Sequence, residues 1–135
     1  MSVMYDYNLQ MPIDICVNTY YQEQKCVYLS HLKFIKQNDY VLFDRNYFSY
    51  KLYNEIIKRK AFGIFRLKKQ INVVKEFVKS NSFDNIVKLK DGNKIRLIKY
   101  YVKTVKSNST AEPTIITKYP TKEPSCLAVN TFSLP

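Results

Sequence analysis

Tyr40-Val41-Leu42-Phe43 is a continuous apolar run of strand length, too short for a helix and compatible with the buried middle of a sheet. Asp44 stands at its carboxyl end. After Asp44-Arg45-Asn46-Tyr47, Ser49 offers an N-cap, and Leu52/Tyr53 and Ile56/Ile57 recur at helical period up to the basic pair Arg59-Lys60. Ala61 to Leu67 then reads as a second strand. Strand, helix, strand requires a crossover, so the chain is assigned to the α/β class. In open α/β sheets, sites form beyond the carboxyl ends of strands, where Asp44 lies.

The flanks extend this frame. Residues 2 to 17 read as two short strands joined around Asn8 to Gln10, with Gln10-Met11-Pro12 as an interruption. Thr19-Tyr20-Tyr21-Gln22 fits a weak capping box, and Tyr28, Leu32 and Ile35 carry a helix over about 22 to 36. Strands near 2–8, 12–17, 40–44 and 61–67 are expected in one sheet, with helices 22–36 and 49–60 packed on it. Val73, Val74, Phe77 and Val78 predict a short helix that Ser80-Asn81-Ser82 breaks. Ile86 to Lys90 and Lys94 to Val102 flank Asp91-Gly92-Asn93, a hairpin turn signal. Val87 and Leu89 alternate with Lys88 and Lys90, and Ile95 and Leu97 with Lys94 and Arg96, which predicts one wet, basic face. From Ser107 to Pro135 the chain turns to Ser, Thr, Pro and Asn without period and is expected to be an irregular tail.

The chain has 135 residues, enough for one domain and one modest core. Its 22 Lys+Arg against 11 Asp+Glu leave a net charge of +11, and the excess is local. Residues 51 to 106 carry sixteen basic and four acidic side chains, while both flanks are near balance. A field of that density attracts polyanions, and double-stranded DNA bound with little sequence preference is the leading partner, although any single lysine is more simply a solvating residue. No apolar run approaches the roughly 20 residues of a membrane span, and the first residues lack the pattern of a signal peptide. An intracellular protein associated with DNA is expected. Cys16, Cys26 and Cys126 lack the spacing of a zinc site and read as unpaired thiols of a reducing compartment.

Taken alone, Asp44 is a poor metal site, because hard divalent cations need several oxygens, and an ion pair or cap is the simpler role. Asp14 followed by Glu23-Gln24-Lys25 imitates an acid plus E-x-K nuclease pattern, but the E-x-K opens a helix. His31 has no Cys or Ser partner at a meaningful spacing and reads as a surface or core-edge histidine. Glu76 reads as a solvated helix residue.

Asp44-Arg45-Asn46-Tyr47-Phe48-Ser49, preceded by Val41-Leu42-Phe43 and followed by Phe65-Arg66-Leu67-Lys68-Lys69, resembles the central block of DDE transposases of the insertion-sequence-4 type. The resemblance runs back through Tyr5-Asp6, Ile13-Asp14, Glu23 and His31-Leu32. It runs forward through Phe77-Val78-Lys79-Ser80 and Ile95 to Tyr100, covering about residues 2 to 103. It implies a partial ribonuclease-H-like fold, a mixed sheet with flanking helices. Residues 1–106 would be part of a catalytic domain, with a β-rich insertion starting at about 70–106.

In that family the acid of the D-R-G-Y block is the second of three that bind two metal ions for DNA strand cleavage and joining. The resemblance therefore implies Asp44 as a catalytic residue and a Mg²⁺ ligand. It implies Arg45, Arg66, Lys68 and Lys69 as phosphate contacts near the sheet, and Lys88, Lys90, Lys94 and Arg96 as further contacts on the insertion hairpin. Asn46 replaces the usual Gly, which Asn tolerates because it accepts a left-handed backbone better than most residues. Asp6 and Asp14 sit as strand residues, not as the first acid, and nothing between Tyr100 and Pro135 matches the Y-x-x-R-x-x-x-E signature that bears the third. The expectation is an internal, catalytically incomplete transposase fragment that binds DNA and holds Mg²⁺ weakly, if at all, with self-association as a further family trait. The alternative is a non-catalytic basic DNA-binding or interaction protein derived from one.

Overall fold

The computed structural model describes residues 1–19, 22–101 and 124–131. Its elements are mixed α/β: a separate two-stranded hairpin and a five-stranded sheet with helices. The hairpin comprises β1 (Ser2–Asp6) and β2 (Met11–Cys16), antiparallel. It turns through residues 7 to 10, where Gln10 takes a positive φ of 54°. Register shifts between Met4 and Tyr5, so that Tyr5 faces Pro12 and Met4 faces Asp14. A bulge next to a proline is expected, because Pro12 cannot donate to the ladder.

The expected helix over 22–36 is divided. The helix α1 (Glu23–Leu29) ends at Ser30, and a short 3-10 helix follows at His31–Phe34. The capping box lies partly outside the described residues, and α1 has Gln22 at its N-cap with no side-chain cap bond. The helix α2 (Tyr50–Lys58) forms as expected, with Ser49 Oγ accepting from Leu52 N at 3.1 Å. It connects β3 (Tyr40–Phe43) to β4 (Phe62–Arg66), which pair in parallel. The helix α3 (Asn72–Lys79) stops at Ser80, as the sequence indicates. The hairpin of β5 (Asp84–Lys88) and β6 (Lys94–Tyr100) follows, turning with Gly92 at φ 89°.

Three expectations are corrected. The β1–β2 hairpin does not join the main sheet, whose order is β3-β4-β7-β6-β5. The strand β3 lies at an edge of that sheet, with Tyr40 67% and Leu42 77% exposed, instead of in its middle. A continuous apolar run signals burial on two faces, but here only the Val41/Phe43 side meets the core. Finally, the tail is not irregular throughout. Ser125–Val129 forms β7, antiparallel to both β4 and β6, in the centre of the sheet. The remainder of that tail, residues 107–123 and 132–135, lies outside the described residues.

The core gathers on one face of the sheet. Phe43, Phe65, Leu67, Ile95, Leu97, Cys126 and Ala128 pack with Leu52, Tyr53 and Ile56 of α2 and Val74 and Phe77 of α3, all buried. Phe65 is its centre, stacked on Phe43 at 4.5 Å between ring centroids and edge-on to Phe48 at 5.5 Å. Gly63 is required beside it, since a Cβ there would come within 2.6 Å of the Phe65 ring. Lys99 also points inward, its Nζ donating to Ser80 O at 2.7 Å and to Val78 O at 3.3 Å, which satisfies carbonyls at the end of α3.

Candidate functional site

Strand alternation and register place Arg66, Lys88, Lys94 and Arg96 on the face opposite the core. Tyr40, Leu42, Phe62, Ile64, Leu127, Ile98 and Ile86 share that face, and each is exposed or half-buried. Tyr40 stacks on Phe62, ring centroids 4.8 Å apart. The face thus combines basic side chains with an aromatic pair, as the alternation over residues 86 to 97 predicts for its hairpin part. Lys88 stands directly opposite Lys94 across the β5–β6 ladder. Lys90 is exposed in the adjoining turn. Like charges in that relation repel, at a cost of roughly 0.2–1 kcal/mol.

Two of the expected phosphate contacts hold carboxylates. Arg96 Nε donates to Asp84 Oδ1 at 2.9 Å, and its second nitrogen reaches Asp84 Oδ2 at 2.5 Å. This paired guanidinium holds the Asp84 carboxyl below its usual range. Arg66 Nη1 lies 3.3 Å from Asp44 Oδ1. Both partners are about half exposed, so water screens this pair. Arg45, Lys68 and Lys69 are exposed near the same strand ends.

Asp44 sits where the sequence places it, at the carboxyl end of β3 beside the carboxyl end of β4. The turn after it closes by Tyr47 N donating to Asp44 O at 3.0 Å. Asn46 is not among the residues with positive φ, so the left-handed conformation anticipated for it is not adopted. Donor chemistry at this place does not fit Mg²⁺. Asp44 supplies one carboxylate facing a guanidinium, Asp6 Oδ1 accepts from Leu9 N, and Asp14 is bound elsewhere. Among the described residues no three His, Cys, Asp or Glu side chains converge into a metal-ligating group.

A second constellation escaped the sequence reading. His31 is 5% exposed, not at the surface, and both ring nitrogens are engaged. Nδ1 lies 2.6 Å from Asp14 Oδ2 and Nε2 lies 2.9 Å from Ser2 Oγ. Ser30 Oγ donates to Asp14 Oδ2 at 2.5 Å, and Ser2 Oγ also meets Tyr47 Oη at 2.8 Å. These bonds, the Ser30 hydroxyl first, hold the Asp14 carboxyl below its usual range. The order acid, histidine, serine is that of a nucleophilic relay, but Ser2 is 2% exposed and its hydroxyl is shared with Tyr47. What the arrangement does is fasten the β1–β2 hairpin to the segment after α1 and to the turn after β3. The one available signal was alternation in Ile13-Asp14-Ile15-Cys16, which puts Asp14 on the inward face of β2.

Among the described residues no helix is long and apolar enough to cross a membrane. Compared with protein-family models, curated proteins and solved structures, the chain matches none.

Proposed function

We propose that this chain binds double-stranded DNA through the face of its five-stranded sheet opposite α2 and α3, contacting the phosphate backbone without reading bases. The observation that carries the reading is the facing pair Lys88 and Lys94. A cross-strand lysine pair is unfavourable in isolation and is relieved by a polyanion lying over it. Lys90, exposed in the adjoining turn, extends the positive surface there, while Arg45, Lys68 and Lys69 are exposed at the far end of the sheet, beyond the carboxyl ends of β3 and β4. The resemblance to insertion-sequence-4-type transposases supports the same partner, since the D-R-N-Y block follows a strand of a parallel pair and leads into α2.

In this reading the chain is transposase-derived and does not cleave or join DNA strands. Metal-assisted phosphoryl transfer requires several converging carboxylates, and Asp44 faces Arg66 instead. The experiment is twofold. Purified chain is titrated into short labelled duplexes of unrelated sequence at low salt, and supercoiled plasmid is incubated with it in Mg²⁺ or Mn²⁺. Comparable affinity for all duplexes and no nicking support the proposal. Absence of binding refutes the first part, and metal-dependent nicking lost in Asp44→Ala refutes the second.

A further inference from the structure

We infer that Cys16 and Cys26 form an oxidisable dithiol whose disulfide pins the β1–β2 hairpin to α1. Cys16 ends β2, half-buried, and Cys26 is buried in the first turns of α1. Cys26 Sγ donates to Cys16 O at 3.6 Å, and the Cys16 side chain lies near enough to act on the Cys26 thiol. Such proximity of two cysteines from two elements is the starting arrangement a disulfide needs. Cys126 is buried in β7, on the core face of the other sheet, and has no part in the pair.

The hairpin gives this bond a purpose. A two-stranded sheet is at best marginally stable by itself, and this one stands apart from the five-stranded sheet. Its polar attachment runs through Ser2 and Asp14 to His31, Ser30 and Tyr47. Ser2 is the register partner of Cys16, so the dithiol lies next to that attachment. A covalent link at Cys16 would hold the hairpin in place even with the polar attachment broken.

The oxidant is a small-molecule disulfide of the glutathione class. The Cys16 thiolate attacks one sulfur of oxidised glutathione, breaking its S–S bond and releasing one glutathione thiolate. Cys26 then gives up its proton to solvent and attacks the Cys16 sulfur, expelling the second glutathione. Two protein thiols are oxidised to one disulfide, and one glutathione disulfide is reduced to two thiols. Burial pushes the Cys26 thiol up to about 11, so the second step is the slow one and quickens with pH.

Trypsin offers a direct readout, because cleavage after Lys25 and Lys33 places Cys16 in residues 1–25 and Cys26 in residues 26–33. The reduced full chain is incubated with oxidised glutathione at pH 8, alkylated under denaturing conditions, digested and weighed. The expected product is residues 1–25 joined to 26–33 with two hydrogens lost, while Cys126 is alkylated. Oxidation should also raise the melting temperature by about 5–10 °C, and Cys16→Ser should abolish that rise. Full alkylation of all three cysteines, a lasting glutathione adduct at Cys16, or a linkage to Cys126 would each overturn the inference.

Discussion

Lys88 and Lys94 face each other across the β5–β6 ladder on the sheet face opposite the one on which α2 and α3 pack. Two like charges at one cross-strand position cost stability that an apolar or β-branched residue would not. Lys88→Thr should therefore stabilise the free protein by about 0.2–1 kcal/mol while weakening its affinity for duplex DNA. Urea denaturation and equilibrium binding on the same variant check both signs. Loss of stability with unchanged binding would assign Lys88 a structural role instead.

The Asp14–His31 contact predicts a pH dependence. The Asp14 carboxyl is held below its usual range by the Ser30 hydroxyl, then by His31. A depressed pKa contributes stability that is present above the unfolded value near 3.8 and is lost as pH falls through the folded one. Melting temperature should thus decline below about pH 4. Asp14→Asn should melt lower at pH 7 and lose part of that acid decline. His31→Ala leaves the buried Ser2 hydroxyl short of a partner, with an expected loss of roughly 1–3 kcal/mol. Circular dichroism melts over pH 3 to 7 measure these effects, and an unchanged acid limb in Asp14→Asn would contradict the assignment.

Removal of β7 should unfold the sheet. Leu127 and Ala128 pair with Arg66 and Phe65 on one side and with Ile98 and Leu97 on the other, so β7 is the seam between β4 and β6. A chain ending at residue 123 should lose cooperative thermal unfolding, and Ala128→Lys should destabilise strongly by burying a charge at a fully covered position. A cooperative melt in the shortened chain would show that β4 and β6 do not depend on that strand.

That seam marks where sequence reading stops. Ser49 as an N-cap, the α2 periodicity and the Asp91-Gly92-Asn93 turn were legible because each is decided by residues a few positions apart. The strand β7 was not, because Cys126-Leu127-Ala128-Val129 is a short apolar run among Ser, Thr and Pro, and only pairing with strands about thirty and sixty residues away makes it central. The same applies to β3, whose apolar run reads alike at an edge or in the middle. At the site, the basic face of the β5–β6 hairpin was legible from period-two alternation. The pairing of Arg66 with Asp44, 22 positions apart, and of His31 with Ser2, 29 apart, depends on long-range packing that local pattern does not encode.

The most direct test of the account is the salt dependence of duplex binding. Each phosphate contact contributes about −0.9 to the slope of log affinity against log salt concentration. The natural chain should show a slope of about −3 or steeper with little preference among sequences. Lys88→Glu with Lys94→Glu should make it shallower by about 2. A flat salt dependence, or a slope untouched by reversing both lysines, would contradict the proposal that this sheet face holds the DNA backbone.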